Sequence, residues 1–269
     1  MFKVLHIEWL KIKYYPAFWW VIGIMAVAYV SINFASLEFY HQVLKDPKMP
    51  GAVIQAAIGN PFSFAEVWHT AAYLSSFFVL FPAIVVIMLI TNEYSFKTHR
   101  QNIINGWSRK QFIAGKLMDV AVISIIVTLL YVLVCLVLGL NNQKANENST
   151  NTYYIGYFLL QTFSQLSIAF LVGFLLRKSF FALGFFIFLS VILEPILVKL
   201  FASRSNDLGR FLPFEISDRM IPAPAFFGKL DPQAYEVAMS GTTMHFVYTL
   251  AFTTIIWISC FRLNAKRDF

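Results

Sequence analysis

The stretch Asn92–Lys116, NEYSFKTHRQNIINGWSRKQFIAGK, is the one long charged and polar segment between two strongly apolar runs. Thr98-His99-Arg100-Gln101 has the spacing of a capping box, in which the Thr hydroxyl accepts from the backbone three residues on and the Gln reaches back. Ser108-Arg109-Lys110-Gln111 repeats that pattern. Gly106 stands between them, where a left-handed residue ends a helix. The spacing predicts a short polar helix over 99–105, a glycine turn, and a second helix that runs straight into apolar sequence. A hydrophilic helix of this length between two membrane spans gains little from lipid, so it is expected to pack on a soluble protein. The competing reading is a solvated loop made basic only by topology.

On either side the chain is hydrophobic. Of 269 residues, 58% are hydrophobic, 17% aromatic and only 13% charged, and the mean hydropathy is +0.65. Soluble domains carry about 25% charged residues, so the expectation is an all-α, polytopic integral membrane protein forming one domain over 1–269. A span needs about 20 apolar residues at about 1.5 Å each. Six runs qualify: 17–35, 70–91, 118–140, 153–176, 180–200 and 244–261. With the N-terminus inside, Lys3, Lys11, Lys13, Lys97, Arg100, Arg109, Lys110, Lys116, Arg177, Lys178, Arg262, Lys266 and Arg267 face the cytoplasm, while nine acids from Glu38 to Glu236 offset the outer cations. Both termini are therefore expected to be cytoplasmic. The +7 charge is topological, and no nucleic-acid partner is needed to explain it.

Catalytic and ligating patterns are missing. There is no Gly-Lys-Ser/Thr phosphate loop, His-Glu-x-x-His or Gly-x-Ser-x-Gly. Cys135 and Cys260 both lie in apolar runs, which excludes a disulfide framework or a paired-Cys zinc site. The chain is not expected to be an enzyme, to bind a metal or to carry a cofactor.

The polar segment resembles the membrane subunits of ABC-2 type (type V) ABC transporters. Those subunits commonly carry, after the second span, a Glu, then Gly-Thr-x-Arg, then Gly-x-Ser-Arg, then a Lys. Glu93, Thr98, Arg100, Gly106, Ser108, Arg109 and Lys116 stand at matching positions, with Gln101 completing the first capping box; Lys97 replaces the usual Gly. The resemblance implies a permease subunit of an exporter in a bacterial cytoplasmic (inner) membrane, with a coupling helix between spans two and three. It also implies a second permease chain, identical or similar, and a separate cytoplasmic ATPase that holds ATP and Mg. Glu93 and Arg100 would fix the lever, with Arg109 and Lys116 anchoring its far end near the headgroups. The rival readings are a stand-alone secondary transporter or channel, and a membrane sensor or anchor with a ligand-binding outer loop.

Elsewhere the sequence sets further expectations. In residues 1–15 the charges are scattered, without the order of a cleaved signal; Phe2, Leu5, Trp9 and Ile12 share a helical face. That segment is either an interfacial helix or an extension of the first span. Ser63-x-x-Glu66 is a third capping box, Pro82 should bend span two, and Ser179 suits an N-cap. Asn148-Ser149-Thr150 matches a glycosylation acceptor. Residues 201–243 are expected to form the largest outer loop, with short re-entrant helices implied by the resemblance or, alternatively, a plain surface course. Glu194, before Pro195, is either a pore-lining or gating carboxylate or a group near the outer interface satisfied by Lys199 or Arg204. Gln161 with Gln165, Ser124 with Thr128, and Thr249 with Thr253 are same-face pairs, better suited to holding helices together than to binding substrate; Gln161 and Gln165 remain candidates for a pore.

Overall fold

Apolar runs of this length can satisfy their backbone in lipid only as helices, and the computed structural model is helical throughout, with no strand among the described residues. It describes residues 2–45, 59–104, 106–142, 151–204, 207–228 and 231–266. The helices are α1 (Phe2–Lys13), α2 (Pro16–Leu44), α3 (Val67–Ser76), α4 (Leu80–Ser95), α5 (Thr98–Ile104), α6 (Arg109–Asn141), α7 (Tyr154–Leu176), α8 (Ser179–Ile187), α9 (Glu194–Ser203), α10 (Glu215–Asp218), α11 (Ala225–Gly228) and α12 (Pro232–Lys266). A π-helical stretch, Phe188–Leu193, joins α8 to α9, and a 3-10 turn covers Asp207–Phe211.

Five of these helices are long and apolar enough to cross a membrane singly: α2, α6, α7, α8 running through α9, and α12. The second expected span is instead a pair, α3 and α4, bent by 49° across Phe77–Val79. Pro82 explains the location, because its missing N–H and its ring disturb the turn that would bond to the carbonyl of Phe78. The other expected spans shift as well. The first helix extends to Leu44, the fifth to Ser203, and the last begins at Pro232 rather than 244, so the outer connection is shorter than 201–243.

The centre of the bundle is α7, which carries an almost unbroken buried run from Ser164 to Phe170. Gly173 lets it approach α4: a Cβ there would lie 2.6 Å from Ile90 Cγ2. Because lipid tails are as apolar as Leu, association between helices rests on such packing and on hydrogen bonds of about 1 kcal/mol. Tyr131 of α6 donates to the Trp68 carbonyl of α3 at 2.7 Å, and Trp257 Nε1 of α12 donates to Ser167 Oγ of α7 at 2.9 Å. Ser124 and Thr128 donate to carbonyls one turn back in their own helix. Ser179 does not cap its helix; it is the first residue of α8, and its hydroxyl meets that of Thr91 at 2.7 Å. The Ser63 box is also not formed, since Glu66 holds the cap position and its carboxylate accepts from Asn151. Cys135 and Cys260 are both buried. The Asn148 acceptor lies outside the described residues.

Candidate functional site

The second expected capping box is present. Ser108 Oγ accepts from Gln111 N at 3.2 Å and Gln111 Oε1 accepts from Ser108 N at 2.8 Å, which sets the start of α6. From that start Lys116 and Asp119, three residues apart, share one inward face. Lys116 is 3% exposed, and three carboxylates converge on its Nζ: Glu8 and Glu93 at 2.5 Å and Asp119 at 3.2 Å. Lys11 pairs with Glu8 and Glu93 as well, each at 2.9 Å. One ionic cluster thus ties α1, the end of α4 and the start of α6. Lys116 is therefore no headgroup anchor, as the resemblance implied; a buried ammonium needs paired acceptors, and α1 and α4 supply them.

The same cluster corrects the reading of α1. Of the expected apolar stripe, Ile12 is buried but Trp9 is 36% exposed; the side chain that turns inward beside Ile12 is Glu8, at 1% exposure. Burial pushes the Glu8 carboxyl up, but Lys116 and Lys11 more than offset it and hold it down at about 2. A carboxyl depressed below its ordinary value of about 4.5 stabilises the fold above that value and loses the contribution as pH falls through 2. A fluorophore on Trp9→Cys should therefore report α1 docked and unchanged between pH 7 and 5, with release only in strong acid. Release near pH 6 would contradict the pairing.

The short helix α5 stands on this cluster. His99 is buried, its Nδ1 lies 2.9 Å from the Glu93 carbonyl, and its ring packs on Tyr94, whose ring the Arg177 guanidinium also approaches. Thr98 does not cap: it is the first helical residue and donates to the Glu93 carbonyl at a long 3.5 Å. Lys97, where the resembling subunits carry Gly, takes φ 56°, a conformation glycine enters without steric cost. Gly106 (φ 92°) ends α5 with the two bonds of a Schellman turn, Gly106 N to Ile103 O and Trp107 N to Asn102 O. Arg100 and Gln101 point away from the bundle, flanked by Phe96 and Ile104 at 74% and 82% exposure. Arg109 donates to the Ala265 carbonyl at 2.8 Å and Asn264 returns a bond to the Arg109 carbonyl, so the end of α12 lies beside the start of α6.

Charge is sorted by depth at this end. Among the described residues Glu8, Glu93 and Asp119 are buried, while Lys13, Lys97, Arg100, Arg109, Lys110, Arg177, Lys178, Arg262 and Lys266 are exposed. The described surface at this end is uniformly basic. Sequence reasoning found Glu93 and Lys116 but missed Glu8, Lys11 and Asp119. The available signal was the i, i+3 spacing of Glu8 with Lys11 and of Lys116 with Asp119, at the edges of apolar helices.

The other expected site residues meet at the opposite end. Glu194 binds neither Lys199 nor Arg204: its Oε1 accepts from the backbone N–H of Phe214 and Glu215 at 2.7 and 2.6 Å. Gln161 and Gln165 both donate to Asp218 Oδ1, at 2.7 and 2.6 Å. Thr249 donates to the Ile216 carbonyl at 3.0 Å, and His69 Nε2 lies 2.8 Å from the Pro222 carbonyl. Irregular backbone is tolerated at a bundle end only when neighbours satisfy it; α3, α9 and α12 do so here, and α7 holds the Asp218 side chain. Glu194→Leu should strand two N–H groups, each about 1–3 kcal/mol, and speed hydrogen exchange over residues 214–218 by about tenfold or more. Glu194→Gln, which keeps an acceptor, should change little; equal exchange in both variants would rule out this role.

The fold and these two ends define an all-α, polytopic integral membrane protein with a clamped polar elbow at one end and a docked, irregular segment at the other. A family model described as Protein of unknown function (DUF2705) matches residues 20–269, and the chain belongs to that family. No curated protein matches it.

Proposed function

We propose that the chain is the membrane-spanning permease subunit of an ATP-driven exporter of the ABC-2 type, working as a pair of permease chains with a separate cytoplasmic ATPase. Counting α3 and α4 as one bent span gives six crossings, so the N-terminal helix, the elbow and the end of α12 share a side. The basic surface of that side supports a cytoplasmic placement, and the membrane would be the bacterial cytoplasmic membrane.

The observation that carries the reading is the mounting of α5. Its outer face, with the adjoining Phe96, offers Arg100, Gln101 and Ile104 to a soluble partner. Its inner face is fixed through His99 to Glu93, and Glu93 is bonded to Lys116 and Lys11. A push on α5 therefore acts on α4, α6 and α1 together, as a lever needs. ATP and Mg would be held by the partner; this chain's residues receive and transmit movement.

The test is co-purification from the native membrane. A cytoplasmic ATPase with a phosphate loop, recovered in defined ratio with the chain and lost on disrupting α5, is the expected result. Recovery of the chain alone, with transport in vesicles independent of ATP, would overturn the proposal in favour of a stand-alone transporter.

A further inference from the structure

A cavity of about 380 Å³ opens at the end of the bundle opposite the elbow. Both irregularities of the spanning helices border it: Phe77, in the 49° break between α3 and α4, and Val191, in the π-helical stretch between α8 and α9. π-bulges of this kind recur at functional sites. Phe77, Phe186 and Phe214 give the cavity aromatic walls, and Asp218 and Gln161 supply its polar end.

The charge on that end is unbalanced. Asp218 has no cation within salt-bridge distance among the described residues, because the adjacent Arg219 is held by Glu215 and Asp207, at 2.7 Å each. Both amide donors reach Asp218 through Oδ1, and the exposed side chain lies in the wall of this cavity and of a neighbouring one. Gln161 is 1% exposed, and its Oε1 has no hydrogen-bond partner. A carboxylate is acceptor-only, so the Gln161 NH2 must face Asp218 and its Oε1 must face elsewhere. An ionised acceptor with no cation beside it among the described residues thus borders an apolar, aromatic-walled space.

We propose that this cavity binds a small amphiphilic organic ammonium, whose N–H groups bond to the Asp218 carboxylate while its apolar body lies against the three phenylalanines. An ammonium both neutralises the carboxylate and is attracted to aromatic faces. An anion would meet an uncompensated negative charge, and a neutral apolar molecule would leave the carboxylate without a counter-charge. Binding rests on this geometry alone; only its meaning as the exported substrate rests on the permease proposal.

The test uses the purified full chain in lipid nanodiscs, without ATPase or nucleotide, titrated with 4-phenylbutylammonium and with its neutral counterpart 4-phenylbutanol. The cation should bind saturably and at least about tenfold more tightly than the alcohol. Asp218→Asn should remove that preference, Val191→Trp at the exposed cavity edge should weaken both ligands, and Glu38→Gln, on exposed surface elsewhere, should change neither. Equal affinity for cation and alcohol would overturn the proposal, as would a preference that survives Asp218→Asn. If Asp218→Asn does not fold, cation binding untouched by Val191→Trp overturns it instead. Failure to recover an ATPase would count against the permease reading and leave this result standing.

Discussion

Lys116→Met should destabilise the folded bundle by about 3–5 kcal/mol, the cost of breaking a buried ion pair by removing one partner. The substitution is close to neutral in volume, so the loss is electrostatic. Glu8, Glu93 and Asp119, at 1%, 5% and 5% exposure, would be left around the partly exposed Lys11. Detergent-solubilised protein should unfold at markedly lower temperature, and α1 should become accessible, since Glu8 is its inward-facing anchor. Neutralising the stranded carboxylates together, with Glu8→Gln and Asp119→Asn in the same chain, should restore most of the stability, because an apolar or neutral replacement avoids the desolvation cost that the ions carry. Lys110→Met, on the exposed surface of the same helix, is the control. If Lys116→Met shifts unfolding no more than Lys110→Met does, the cluster is not what holds α1, α4 and α6 together.

Arg100→Glu is expected to weaken association with the proposed ATPase by at least about tenfold, while leaving membrane insertion and thermal stability unchanged. The asymmetry follows from position. Arg100 is exposed on α5, whereas the residue that fixes α5 to the bundle is its buried neighbour His99. Every exposed charge described at this end is basic, so an acid at position 100 places a negative charge among the described cations of a surface suited to an acidic partner. His99→Ala should behave oppositely, preserving the outward charge but loosening the lever, so that ATPase still binds while its hydrolysis no longer drives transport. Unchanged co-purification and unchanged transport for Arg100→Glu would remove α5 from the coupling path.

These two residues also show how far the sequence could be read. The position of Arg100 on a short helix was legible because the signals are local: polar sequence between apolar runs, a capping box at Ser108 and a glycine stop at Gly106 act at short range, and the structure places a seven-residue helix there. The bend near Pro82 was legible for the same reason, since a missing N–H acts on its own helix. Lys116 was noticed but misplaced. Positive charge near a span end suggests headgroups, and nothing within twenty residues announces that Glu8 will arrive from the far end of the chain. Glu194 was ambiguous because a lone acid in an apolar run has many ways of being satisfied; its actual partners are backbone groups, which carry no sequence signature. Asp218 was invisible in a loop rich in proline and charge.

By itself, then, the sequence determined that this chain is a bundle of apolar helices in a membrane, which surface carries the positive charge, and where a polar elbow interrupts the hydrocarbon-length runs. Hydropathy, charge placement and caps are additive properties of neighbouring residues, and they survive without knowledge of the fold. Only the tertiary structure decided that two lysines and three carboxylates from three helices close into one buried cluster, and that Gln161 and Gln165 meet Asp218 beside an apolar cavity. Buried charge is tolerated only where opposite charges and donors converge in space, and that convergence depends on helix rotation and packing, which linear spacing does not encode.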